Sequence, residues 1–119
     1  MNTTSVYEGY QMINTVLQYF KDFSNQNIEA LSEMFSEDIH LCDWNIDVEG
    51  KENVINAIKD IYNSVDSITV KPVYFYSNDK DWFACEILIV IGEDTTLEVV
   101  DVIHINDKGL IESIKAYKR

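Results

Sequence analysis

Residues 82–91, WFACEILIVI, are apolar at nearly every position, with Glu86 the exception. A strand alternates its side chains between two faces. This run therefore carries an apolar row on each face and has to be covered on both sides. The run 97–105 is nearly as apolar. Helices can cover one face. The other meets a second subunit or a neighbouring part of a curled sheet. Homodimerisation through that outer face is the economical reading, because large exposed apolar patches are uncommon on monomers.

Four β-rich runs fill the second half of the chain: 68–76, 82–91, 95–105 and 110–118. The breaks between them, NDKD at 78–81, GED at 92–94 and NDKG at 106–109, are short, polar and turn-prone. Gly109 suits a position with positive φ. Hairpins of this kind predict an antiparallel meander. Pro72, the chain's single proline, lies inside the first run and marks an edge or a bulge.

The first half reads as helix. Ile13, Val16, Leu17 and Phe20 fall on one helical face within residues 7–25. Asn27 is placed to cap a short second helix over 28–35, with Leu31, Met34 and Phe35 inward. Residues 36–38 read as a turn. A short strand follows, with Ile39, Leu41 and Asp43 on one face and His40, Cys42 and Trp44 on the other. Residues 47–50 read as a loop. Val54, Ile58 and Ile61 set the inner stripe of a third helix over 51–64. The whole predicts a single α+β domain over residues 1–119, with a closed and mostly apolar interior.

Charge narrows the partners. Nine basic residues face 21 acidic ones, a formal net charge of -12. Nucleic acid and anionic membrane surfaces demand the opposite balance. A neutral or cationic small ligand, or a protein, remains. No window approaches the length of a membrane span, and the first residues lack a basic end followed by an apolar run, so a cytoplasmic protein is expected. Cys42 and Cys85 sit in strand-like runs and read as small buried hydrophobes. His40 and His104, the two histidines, show no partner at metal-ligand spacing, and no glycine-rich phosphate cradle is present. Neither metal nor cofactor is expected.

Two acids interrupt apolar rows. Asp43 continues the row of Ile39 and Leu41, and Asp101 sits among Leu97, Val99, Ile103 and Ile105. A carboxyl on an apolar wall loses hydration and holds its proton to higher pH. It can then donate a hydrogen bond or move a proton near neutrality. Tyr19, beside Phe20 on the first helix, is a third candidate, able to stabilise negative charge growing on an oxygen. Each has a plainer reading: Asp43 as a solvated turn acid, Asp101 as a structural acid, Tyr19 as a core aromatic. Tyr10, Tyr62, Tyr74, Tyr76 and Tyr117 compete with Tyr19.

The order helix, helix, short strand, helix, meander resembles the NTF2-like superfamily, which includes SnoaL-like and ketosteroid isomerase-like proteins. The resemblance spans about residues 12–117. It rests on VLQYFKDFSNQNIEALSEMFSEDIHLCD at 16–43, GKENVINAIKDIY at 50–62 and VVDVIHINDKGLIESIKAY at 99–117. It implies a cone-like curved antiparallel sheet wrapped around a long N-terminal helix, three helices in all, and a pocket for a small apolar ligand. Many members are homodimers. Set beside the ketosteroid isomerases, Asp43 stands where their catalytic base stands, while Tyr19 and Asp101 match their oxyanion-binding Tyr and Asp. Trp44 replaces the proline that follows the base in those enzymes. The resemblance equally covers SnoaL-like cyclases and dehydratases and non-catalytic members that bind hydrophobic ligands or serve as dimeric interaction proteins.

Overall fold

The computed structural model describes residues 3–119, with side chains from Met12 onward. Three helices, α1 (Thr3–Ser24), α2 (Ile28–Met34) and α3 (Lys51–Asn63), accompany six strands. The strands are β1 (Phe35–Cys42), β2 (Asp47–Glu49), β3 (Ile68–Ser77), β4 (Trp82–Ile91), β5 (Thr95–Ile105) and β6 (Ile111–Lys118).

The sheet corrects the sequence reading. Its order is β2-β1-β6-β5-β4-β3, so β2 and β3 are free edges and the sheet is open. It is also mixed, because β1 runs parallel to β6. The expected cone-like, wholly antiparallel sheet wrapped around α1 is not what forms. Hairpin logic predicts antiparallel neighbours only for strands joined by short turns, and it holds for β3 to β6. The β1–β6 pairing joins segments separated by α3 and four strands, with no local signal for its direction. Two local readings also shift. Residues 36–38 form a bulge within β1, where the register against β6 slips between Phe35 and His40. The expected loop at 47–50 supplies β2, which pairs back on β1.

The helices rather than the sheet close the interior. α1 packs on β3 and α2, and α3 packs on β1 and β2. On β5 the row singled out from the sequence faces inward, with Val99, Asp101, Ile103 and Ile105 buried, and on β4, apolar on both faces, the inward row is Phe83, Cys85 and Ile87. Phe20, Leu31, Phe35, Ile39, Ile58 and Ile114 complete the core.

Local devices match the sequence. The Asn27 side chain accepts from the Ala30 N–H at 3.2 Å and caps α2. Gly109 has φ 78°, in the turn before β6. Pro72 lies on edge strand β3 beside a register shift between Pro72 and Tyr74, where no neighbour needs its missing N–H. The end of α1 is tied to that edge. Ser24 Oγ donates to the Phe20 carbonyl at 2.8 Å and accepts from the Val70 N–H at 2.8 Å. Ser24→Ala leaves that half-buried amide without its acceptor and should cost about 1–2 kcal/mol in urea unfolding. Among the described residues, no helix is long and apolar enough to cross a membrane.

Candidate functional site

Between α1, α3 and the inner sheet face lies a cavity of about 250 Å³. Its walls are apolar, with Phe20 and Phe23 from α1, Ile61 from α3, and Ile87 and Ile114 from the sheet. Tyr19, Asp43 and Asp101 all line it. The three residues singled out from the sequence, spread over more than 80 positions of the chain, thus share one chamber.

Asp101 is fixed by strand pairing. It registers with Cys85 on β4 and Ala116 on β6, and it is 6% exposed. Burial, and after it the negative charge of Asp43, lifts its carboxyl to about 7. Asp101 therefore holds its proton to far higher pH than an ordinary carboxyl does. Asp101 is thus held out of water. Cys85, beside it, is buried, and burial together with the Asp101 charge pushes its thiol up to about 12, so it packs as a hydrophobe.

Tyr19 is held in an aromatic cluster, with ring centroids 5.4 Å from Phe20, 6.0 Å from Phe23 and 6.1 Å from Phe35. It is 5% exposed. Burial first, then the charges of Asp101, Tyr62 and Asp43, raises its phenol well above the ordinary value. The hydroxyl stays protonated and keeps a proton to donate. Four of the competing tyrosines are engaged or directed elsewhere. Tyr62 donates to the Phe23 carbonyl at 2.7 Å and staples α3 to α1. Tyr74 and Tyr117 are exposed, and Tyr76 bonds Glu86 on the surface. Tyr10 lies outside the described side chains.

Asp43 follows β1 and is half-buried. Its Oδ1 accepts from the N–H groups of Asn45 and Ile46, each at 2.7 Å, and its own N–H bonds the Ile46 carbonyl at 2.7 Å. The turn-acid reading and the cavity-acid reading are therefore both true of the same side chain. The turn fixes one oxygen, and the carboxyl still borders the chamber. Trp44, next in sequence, is 39% exposed and also lines the cavity, with the Lys118 ammonium 5.2 Å above its ring.

Three polar features escaped the sequence reading. Asp22, on α1, is buried and accepts from Gln18 at 3.0 Å. His104 stands between two carboxylates, with Asp81 and Glu112 each 3.1 Å from a different ring nitrogen, and its ring lies 4.5 Å from that of Trp82. His40, Cys42 and Asp47 bring ligand-capable atoms within 4.8 Å of one another, against the expectation of no metal-ligand grouping. The missing signal was β2. Once 47–49 is a strand, Asp47 falls opposite Cys42.

The sequence matches no family model and no curated protein. Solved structures do match in fold. A candidate ketosteroid isomerase from Kribbella flavida superposes with a TM-score of 0.81 at 14% identity, over 92% of this chain and 78% of that one. An LEH-like epoxide hydrolase from M. tuberculosis gives 0.80 at 13% identity, over 92% and 84%. An NTF2-like protein of unknown function from Cytophaga hutchinsonii gives 0.77 at 15% identity, over 91% and 89%. The fold is therefore the NTF2-like, SnoaL-like one. These identities establish architecture and leave the reaction to the residues of the cavity.

Proposed function

We propose that this protein is a proton-transfer enzyme of the ketosteroid isomerase-like kind, acting on a small apolar carbonyl compound. The observation that carries the reading is Asp101: a carboxyl sunk in an apolar wall, its proton held to higher pH by burial, in one cavity with Tyr19 and Asp43. In this reading Asp43 removes a proton from the carbon next to the carbonyl and returns it at the γ carbon. Tyr19 and the acid form of Asp101 donate hydrogen bonds to the dienolate oxygen. The mechanism is that of the ketosteroid isomerases, carried over by resemblance. Low-identity neighbours in the same fold that are described as isomerase, cyclase and epoxide hydrolase support action on small molecules at this kind of cavity. The cavity's 250 Å³ lies below the about 300–1,000 Å³ of pockets for drug-sized ligands, which favours a substrate smaller than a steroid.

The test is binding of a substituted phenol, which imitates the dienolate. Tyr19→Phe and Asp101→Leu should each weaken it about 10- to 100-fold, the value of a strong hydrogen bond to a charged oxygen. A wild-type protein that does not bind phenols sinks the proposal. A second reading, a non-catalytic receptor for a small hydrophobic ligand, draws on the turn that already engages Asp43. It expects all three polar positions to tolerate substitution with modest changes in affinity.

The same proposal includes a homodimer through the outer sheet face. On that face Val100 registers with Glu86 and Tyr117, and the large apolar side chains of Trp82 and Tyr117 are exposed. Val100→Arg should convert the dimer to a monomer in sedimentation velocity. A wild-type chain that sediments as a monomer at high micromolar concentration would remove this part of the proposal.

A further inference from the structure

We propose that His40, Cys42 and Asp47 form a binding site for a divalent transition metal of borderline softness, with Zn²⁺ the preferred ion. The site lies on the sheet face away from the cavity. Ile39 and Leu41 point into the core, so His40 and Cys42, two residues apart on β1, share the opposite face. Asp47 registers with Cys42 across the β1–β2 pair, and directly opposed residues project to the same side. One nitrogen, one sulfur and one oxygen thus come within 4.8 Å of one another.

The donor set selects the ion. Thiolate and imidazole favour Zn²⁺, Co²⁺ and their neighbours over Mg²⁺ or Ca²⁺, which seek oxygen alone. A tetrahedral ion bonds such ligands at about 2.0–2.3 Å, which sets the donor atoms about 3.3–3.6 Å apart. His40 Nε2 and Asp47 Oδ1 are 2.5 Å apart and hydrogen-bonded, so the ion needs them to separate by roughly 1 Å. Asp47 is exposed at the end of the three-residue edge strand β2, so the shift is a movement of a solvent-exposed side chain. Cys42 is a free, half-buried thiol, and it gives up its proton on binding.

Charge favours a cation. Glu49 registers with His40 from β2 and stands on the same face as a candidate fourth ligand, with water as the alternative. Lys115 registers with Cys42 from β6 and opposes the ion, but the Cys42 thiolate, Asp47 and Glu49 outweigh it. The molecule as a whole carries -12. A metal here clips together the two ends of the turn that holds Asp43 and Trp44. The site is independent of the catalytic proposal, since its ligands face away from the chamber.

The experiment is a Co²⁺ titration of chelator-stripped, dialysed protein, followed by absorption. One equivalent should produce a thiolate-to-cobalt charge-transfer band and visible bands of tetrahedral intensity, both displaced by Zn²⁺. Cys42→Ser should abolish the charge-transfer band, and Cys85→Ser should leave it intact. Asp47→Asn, at an exposed position, should weaken Co²⁺ binding at least about tenfold and serves if Cys42→Ser does not fold. Zn²⁺ should also raise the Tm of the wild type and not that of Cys42→Ser. No thiolate band, a band that survives Cys42→Ser, or an affinity indifferent to Asp47→Asn overturns the proposal.

Discussion

Asp101→Asn should make the protein more stable at pH 8 than the wild type, by about 2–4 kcal/mol, with the difference vanishing near pH 3.5. Its carboxyl has an ordinary value of 3.8 and is raised to about 7 in the fold. Between those two values the native state holds a proton that the unfolded chain has released. Native stability therefore falls as pH rises across this window, and the full deficit is present above about pH 7. Three units of displacement correspond to about 4 kcal/mol as an upper bound, and relaxation around the ionised group lowers it. Asparagine keeps the shape and carries no charge at any pH. Urea unfolding of both proteins at several pH values gives the difference directly and cancels the many surface acids common to both. Parallel stability profiles would mean that Asp101 ionises without hindrance, and its role as a hydrogen-bond donor would go with that result. A gain in stability from removing a buried acid is also the trade expected where a fold tolerates a strained group for the sake of activity.

The second large effect concerns Asp43. Asp43→Asn should lower turnover of a small β,γ-unsaturated ketone by about 10²- to 10⁴-fold, the usual value of a positioned general base. Formation of the conjugated enone is read by its ultraviolet absorption. The side-chain carbonyl of asparagine can still accept from the Asn45 and Ile46 N–H groups, so the turn should persist and phenol affinity should hold. That combination separates loss of the base from loss of the site. Unchanged turnover in the variant removes Asp43 as base. A wild type that binds phenols but turns over no such ketone leaves the receptor reading standing.

Much of the fold was legible because its signals are local. The 3.6-residue spacing of Val16 and Phe20, the Asn27 cap and the short polar breaks at 78–81 and 106–109 each depend on a few neighbours, and each element appears where expected. The sheet's topology was not legible in the same way. Ser36, Glu37 and Asp38 look like a turn because all three are polar, yet they form a bulge that keeps β1 running. β2 is three residues long and has too little pattern to read. Without β2, the grouping of Asp47 with His40 and Cys42 could not be seen. Asp43 and Asp101 could be found because each interrupts an apolar row. Asp22 could not, because a single acid on a helix is ordinarily solvated and only the packing of α1 shows otherwise.

The parallel pairing of β1 with β6 has a consequence for how the chain acquires its shape. β6 is the last of the six strands to be synthesised, yet it lies in the interior of the sheet, between β1 and β5. Until it arrives, β1 with its β2 hairpin has no partner on its other side, and the β3–β5 meander presents an open edge. The first half of the chain therefore waits on the last eight-residue strand, and the loop closed by that contact spans most of the sequence. Such long-range closure slows folding and leaves sticky strand edges exposed in the meantime. Nascent chains halted before residue 111 should be far more prone to aggregate than their composition suggests, and substitutions in β6 should act more on the rate of folding than on the rate of unfolding.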